Sequence, residues 1–182
     1  RWTRTRSGGS GGPAVAGQGP RGAGDNFGGV IDRVTRTEWY VKADDKGMTY
    51  PEGMDAIPAE FAEEAGLRHQ ELVEAAADCD DALMEKVLME EEVTVDELKA
   101  AIRKGTIACQ IHPVFVGSSY KNKGVQELLD AVVDYMPSPI DVPAIQGTNP
   151  DTGEEDERPS DGKAPFPAPA FHILPDPFDG QP

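Results

Sequence analysis

The chain has 182 residues, of which 38% are hydrophobic, and it carries a formal net charge of −16. A surface this acidic repels phosphate backbones and anionic lipids, so we expect no direct binding of nucleic acid or of a membrane by this chain. No apolar run approaches the roughly 18 residues of a membrane span, and no apolar stretch follows the first arginines as it would in a secretory signal. Two cysteines without a Cys-x-x-Cys pair argue against a zinc site and against a disulfide framework, and they favour a cytoplasmic protein.

Residues 1–24 differ in composition from the rest of the chain. They contain four arginines, eight glycines and no acidic residue. Such a segment buries too little apolar surface to offset the entropy lost on ordering, so we predict a disordered arm here.

Residues 25–136 hold nearly all of the periodic pattern. Residues 29–34 and 35–41 are rich in β-branched and aromatic side chains and predict a β-hairpin or two paired strands, followed by a turn at residues 44–47. Pro58 suits the first turn of a long acidic helix, in which Phe61, Ala65, Leu72 and Ala76 recur at helical spacing.

Two shorter helices are predicted next. Either Asp80 or Asp81 can cap the first of them. Thr94 and Glu97 form a capping box that starts the other, which we expect to stop near Gly105.

Residues 111–116 then predict a buried strand that leads through a small polar turn into a strongly amphipathic helix. The apolar side of that helix carries Val125, Leu128, Leu129, Val132 and Val133. Residues 137–182 hold 11 of the 16 prolines and predict an extended connector with at most one or two short strands.

The turn of Gly117, Ser118 and Ser119 is the segment most suggestive of chemistry. In doubly wound α/β folds, ligands lie at the carboxyl ends of strands, where this turn presents backbone N–H groups beside small side chains. One N–H aimed at the carbonyl oxygen of guanine discriminates against adenine, because the wrong base leaves that N–H unpaired. The spacing alone also fits an ordinary strand–turn–helix connection, so both interpretations stay open at this point.

Many short segments around this turn resemble bacterial elongation factor G, a translational GTPase, in their residue identities, order and spacing. The resemblance covers about residues 25–180. The matching runs are residues 25–27, 29–32, 81–86, 99–107, 113–114, 117–118, 121–126, 128–135, 137–139, 141–143, 147–148, 152–154 and 176–178.

The resemblance implies an α/β fold, namely the C-terminal part of a P-loop GTPase-type domain with an inserted α+β subdomain. By resemblance, the inserted subdomain is residues 25–107, and residues 108–138 are the last strand, guanine loop and last helix of the GTPase domain. Residues 139–182 would be a Pro-rich linker and the start of a truncated β-barrel.

The resemblance also implies a function. Elongation factor G is the ribosomal translocase that uses GTP hydrolysis to move tRNA and mRNA, with magnesium as the cofactor of the nucleotide and the ribosome as partner. Carried over onto this chain, the guanine loop is Ser118, Ser119 and Tyr120.

The chain departs from the family where phosphates and metal are bound. No Gly-x-x-x-x-Gly-Lys-Ser/Thr run occurs, and Val125 stands where the Asn-Lys-x-Asp motif needs its carboxylate. We therefore predict no catalytic residue and no metal ligand, and we expect neither GTP nor magnesium to bind this chain tightly.

Residues 58–92 contain 12 acidic and two basic residues. The resemblance implies a docking face for the ribosomal stalk protein, built from Glu63, Glu64, Glu71 and Glu74. The alternative is a solvated helix face, the usual fate of charge runs. A rival function follows from the first interpretation: a non-enzymatic, ribosome-associated interaction module that uses only these acidic helices.

Two expectations concern completeness. Residues 1–24 do not resemble the helix and strand that the family places there, so we expect a fragmentary or frame-disturbed gene product. The strand predicted at residues 111–116 is then expected to belong to a sheet whose other strands are absent.

Overall fold

A computed structural model describes residues 12–22, 24–40, 52–54, 56–149 and 152–163. This part of the chain is mixed α/β, with four α-helices and three small sheets. The chain divides into two units, Arg1–Met136 and Pro137–Pro182. The turn predicted at residues 44–47 lies outside the described residues.

The first unit contains two sheets. In the first sheet, β1 (Ala14–Ala16) pairs in parallel with β6 (His112–Val114). The other sheet is antiparallel, in the order β2 (Gln18–Arg21), β3 (Gly29–Asp32), β4 (Thr37–Tyr40) and β5 (Glu52–Met54). The pairing of β3 with β4 confirms the predicted hairpin, with Gly29 opposite Tyr40 and Asp32 opposite Thr37.

Strands β1 and β2 contradict the prediction of disorder over residues 1–24, and residues 1–11 and 23 of that arm lie outside the described residues. Val15 is buried in the core, and the N–H of Gly17 donates to the carbonyl of Val114 at 3.0 Å. The order of this segment comes from distant partners, so a composition averaged over 24 residues does not detect it. The same pairing corrects the expectation of an orphaned closing strand, because β1 is the partner of β6.

The three helices after β5 follow their predicted starts. Helix α1 (Ala59–Ala77) begins after Pro58, and α2 (Asp81–Leu88) is capped by Asp80, whose carboxylate accepts the N–H groups of Ala82 and Leu83. Helix α3 (Val95–Ile107) has the predicted capping box of Thr94 and Glu97 in both directions.

Helix α3 runs two residues beyond the predicted stop at Gly105. That glycine serves packing, because a Cβ there would lie 2.8 Å from Cys79 Sγ and 2.9 Å from a side-chain carbon of Ile111. The close approach brings the end of α1 and the start of β6 against α3. The glycine therefore marks a close contact between elements and not the end of the helix.

The core of the first unit lies where α1, α2 and α3 meet the β1–β6 pair. Leu72, Leu98, Ile102 and Ile111 are almost completely buried there. Burial of each such side chain stabilises the fold by about 1.5–3 kcal/mol.

Helix α4 (Val125–Tyr135) lies against α3, as their long-range bonds show: Lys99 Nζ lies 2.7 Å from Asp134 Oδ2. The helix is predicted correctly, but its apolar side faces solvent: Leu128, Leu129, Val132 and Val133 are all exposed. The buried side is formed instead by Glu127, Ala131 and Tyr135.

In the second unit, β7 (Ile145–Thr148) pairs antiparallel with β8 (Glu155–Arg158). This hairpin agrees with the one or two short strands predicted after residue 136. Residues 164–182, where a β-barrel was predicted to begin, lie outside the described residues.

Candidate functional site

The loop between β6 and α4 is closed by two backbone hydrogen bonds. The N–H of Ser118 donates to the carbonyl of Lys123 at 2.8 Å, and the N–H of Lys123 donates back at 3.0 Å. Within this frame the N–H of Lys121 donates to the carbonyl of Ser118 at 3.1 Å, and Asn122 donates to Ser119 at 3.1 Å. The loop is therefore a tight, internally bonded turn.

Gly124 joins this loop to α4 in a left-handed conformation, with φ of 74°. A Cβ at this position would also lie 3.0 Å from the carbonyl oxygen of Val116. Both observations favour glycine, since other residues enter this conformation at a cost. The start of α4 thus depends on a backbone angle, whereas the start of α3 depends on a side-chain cap.

The structure places the three predicted guanine-loop residues in different situations. The N–H of Ser118 is already used within the loop. Ser119 is exposed, and its N–H donates to no residue in the part of the chain that the structure describes. The Tyr120 side chain is 98% exposed. The Tyr120 N–H likewise donates to no described residue, so the N–H groups of Ser119 and Tyr120 can both donate to a group from outside without opening the loop.

Two lysines of the loop hold it against the segment before β3. The sequence analysis did not predict this role for them. Lys121 Nζ lies 3.0 Å from Asp25 Oδ1, and Lys123 Nζ donates to the carbonyl of Phe27 at 2.9 Å. The hydrogen bond and charge of Lys121 lower the pKa of Asp25. The partners are 96 residues apart in the chain, so no local pattern could have revealed either contact.

The four glutamates of the predicted docking face are all exposed on α1. Their spacing places them within an arc of about 100° around the helix. Arg68 reduces the charge of this face, since it lies 2.9 Å from Glu71 Oε2 and 3.9 Å from Glu64 Oε1. The hydrogen bond from Arg68 to Glu71 raises the pKa of that arginine. Such exposed pairs contribute little stability, so they leave the face available for contact.

Other kinds of site find little support in the described residues. Among them, no set of three or more His, Cys, Asp or Glu is arranged to hold a metal ion. His69 is a packed histidine whose Nδ1 lies 2.6 Å from the carbonyl oxygen of Arg33. No helix within the described ranges is long and apolar enough to cross a membrane.

Comparison with known proteins shows a distant likeness. No family model matches the chain. The fold resembles a crystal structure of a protein from Thermus thermophilus, with a TM-score of 0.60 and 27% sequence identity. The match covers 72% of this chain and 20% of the Thermus chain, so the present sequence spans about a fifth of that protein. The likeness supports a distant structural relationship and a mixed α/β fold.

Proposed function

We propose that this chain is the guanine-loop part of a translational GTPase of the elongation factor G type, which works with the ribosome in the cytoplasm. The observation that carries the proposal is the internally bonded loop after β6, with the Ser119 N–H directed to no described residue. The order and spacing of the resembling runs support the same assignment, and the likeness to the Thermus structure supports the mixed α/β fold that it requires.

The residues present fit a guanine base and do not fit the rest of GTP. A single pre-positioned N–H can donate to the guanine carbonyl, and adenine offers no acceptor at that atom. The 182 residues contain no phosphate-binding loop motif, and the run Asn122–Val125 ends in valine where an Asn-Lys-x-Asp motif has its carboxylate. We therefore propose that the chain alone binds guanine weakly and does not hydrolyse GTP.

The base-reading role can be tested with two substitutions at one position. Ser119 is the second residue of the turn closed by Lys121, a position that accepts proline, and proline removes the N–H. Ser119→Ala keeps that N–H and serves as the matched control. In NMR titrations we expect GMP to shift the loop amides of the wild type and of Ser119→Ala more strongly than AMP does.

With Ser119→Pro, we expect GMP and AMP to give the same shifts. Equal responses to the two nucleotides in the wild-type chain would show that the loop does not read guanine. Phosphate release from GTP should stay at the buffer background, and turnover above it would refute the proposed lack of hydrolysis.

A second function is favoured by the position of four exposed glutamates on one side of α1: Glu63, Glu64, Glu71 and Glu74. We propose that this side docks a basic surface of the ribosomal stalk protein, which would make the chain an interaction module whether or not it binds guanine. Charge complementarity of this kind acts mainly on the association rate and weakens with salt.

The test reverses all four charges to lysine and measures binding to the stalk protein. Its matched control reverses four exposed acids of the second unit: Glu154, Glu155, Glu157 and Asp161. We expect at least tenfold weaker binding for the α1 variant and little change for the control. Equal losses would indicate a general charge effect and exclude a specific face.

A further inference from the structure

A cavity of about 140 Å³ lies between the β2–β4 sheet and the buried side of α4. The guanine loop and the acidic face of α1 contribute no residue to it. Its walls combine carboxylates with aromatic rings, and they include Gln18, Asp32, Trp39, Phe115, Glu127 and Tyr135.

Two buried polar side chains at this cavity have unused hydrogen-bonding capacity. Glu127 is 6% exposed, and neither of its carboxylate oxygens accepts a hydrogen bond from another described residue. Gln18 is 3% exposed, and its Oε1 is likewise unpartnered within the described residues. Buried polar atoms are almost always paired in folded proteins, so two unpaired acceptors at one cavity indicate a missing donor.

Further carboxylates surround Glu127 at the cavity. Asp32 from β3 and Asp130 and Asp134 from α4 line the same cavity. Among the described residues that line it, Lys99 is the one cation, and its Nζ lies 2.7 Å from Asp134 Oδ2. Burial raises the pKa of Glu127, the charges of Asp130 and Asp32 raise it further, and its own backbone N–H opposes them with an effect smaller than that of burial. Burial raises the pKa of Tyr135 as well, and the charges of Asp32 and Asp134 raise it further by smaller amounts.

The aromatic walls distinguish between kinds of cation. The rings of Phe115 and Tyr135 stack with centroids 5.9 Å apart, and Trp39 lines another wall. Aromatic faces attract organic ammonium groups through the negative charge of the ring face. The described residues also lack a set of three or more ligands in metal-binding geometry. The cavity volume suits the end of one side chain and is too small for a nucleotide.

We propose that this cavity binds an alkylammonium group, with the Glu127 carboxylate as its charge partner and Gln18 Oε1 as an acceptor for one of its N–H bonds. The same chemistry is offered by a lysine side chain of a partner protein and by a free aliphatic amine. The assignment does not depend on the guanine loop.

The test titrates the full chain with n-butylammonium and follows the NMR signals of Gln18 and Ala131. We expect saturable shifts with n-butylammonium and none with n-butanol, which has the same carbon chain without the charge. Glu127→Gln should weaken binding at least tenfold. Glu92→Gln, which removes an exposed carboxylate elsewhere, should bind as the wild type does.

Asp32→Asn gives an independent second variant, at a residue that also lines the cavity. Asparagine retains the Oδ1 that accepts the N–H groups of Val34 and Thr35, so the turn after β3 is preserved. We expect this variant to weaken binding severalfold. Equal binding of n-butanol, wild-type affinity in both variants, or displacement of the amine by equimolar magnesium would overturn the proposal.

Two compounds distinguish a lysine side chain of a partner protein from a free aliphatic amine as the source of the ammonium group: Nα-acetyl-lysine amide and putrescine. Stronger binding of the lysine derivative supports a partner side chain, and stronger binding of putrescine supports a free amine. Either result agrees with the proposed chemistry. If neither compound binds, the proposal is contradicted.

Discussion

Helices α3 and α4 have similar apolar periodicity but opposite surroundings. In α3 the apolar stripe of Leu98, Ala101 and Ile102 is buried, whereas in α4 the stripe that includes Leu129 and Val133 is exposed. The two helices are joined by polar bonds: besides Lys99 and Asp134, the Arg103 guanidinium donates to the carbonyls of Asp134 and Met136 at 3.0 Å each. These bonds satisfy carbonyls at the end of α4 and hold its polar side toward α3.

Apolar spacing therefore identifies a helix but does not say which of its sides is covered. The covered side depends on the contacts available in the fold. In α4, the pairing with α3 and the stacking of Tyr135 on Phe115 place Glu127 inside and the leucines outside.

The same substitution in both helices should give the greatest difference in the free energy of unfolding. Leu98 is 1% exposed and Leu129 is 60% exposed. We expect Leu98→Ala to lower the free energy of unfolding by about 2–5 kcal/mol, and Leu129→Ala to change it by less than about 0.5 kcal/mol. Urea denaturation measures both. Similar losses would mean that the apolar side of α4 is covered in solution, which sedimentation would reveal if a second copy covers it.

The next test concerns how the helix starts. Gly124→Ala should lower the free energy of unfolding by about 1–2 kcal/mol, because alanine must adopt the left-handed angle. The control is Gly66→Ala within α1, where a Cβ would meet nothing within 4 Å. There the change should stabilise the chain by about 0.5–1 kcal/mol. Thermal unfolding of the two variants checks for opposite signs, and shifts of equal sign would exclude this account of Gly124.

Glu127 gives a smaller effect with a defined pH dependence. Its folded-state pKa is raised above the ordinary value of 4.5, so the folded state binds more protons than the unfolded state above pH 4.5. The free energy of unfolding should fall as pH rises from 4.5 through the folded-state pKa. Glu127→Gln should remove this fall and stabilise the chain at pH 7 by about 1 kcal/mol. A variant that retains the wild-type pH profile would assign the fall to another group.

Glu97 in α3 should respond in the opposite sense and gives the smallest effect. Lys86 and the Thr94 cap lower its pKa from 4.5 to about 2. Its contribution to stability is therefore present above pH 4.5 and is lost as pH falls toward 2. NMR titration of the side chain reads the pKa directly, and Lys86→Met should return it toward the ordinary value. An unchanged pKa in Lys86→Met would contradict the role of the lysine.

Features set by neighbouring residues could be predicted from the sequence. The hairpin of β3 and β4, the Asp80 cap and the capping box at Thr94 each depend on residues a few positions apart, and each is present. The turn after β6 could be predicted on the same basis.

Features set by distant partners could not be predicted in this way. The order of β1 depends on β6, and the position of the loop between β6 and α4 depends on Lys121 and Lys123 reaching Asp25 and Phe27. The same limit applies inside the candidate site. That Ser118 uses its N–H within the loop follows from the closed pairing with Lys123, which the small polar residues alone do not reveal.

The parallel pairing of β1 with β6 has a consequence for synthesis on the ribosome. All of α1, α2 and α3 must be made before β6 emerges, at about 5–20 residues per second. Strand β1 therefore spends on the order of 5–20 s without its partner, while the helices can already form from local contacts. During that interval its unpaired edge is exposed to other nascent chains, so a slow stretch of translation before residue 112 would increase aggregation of this chain.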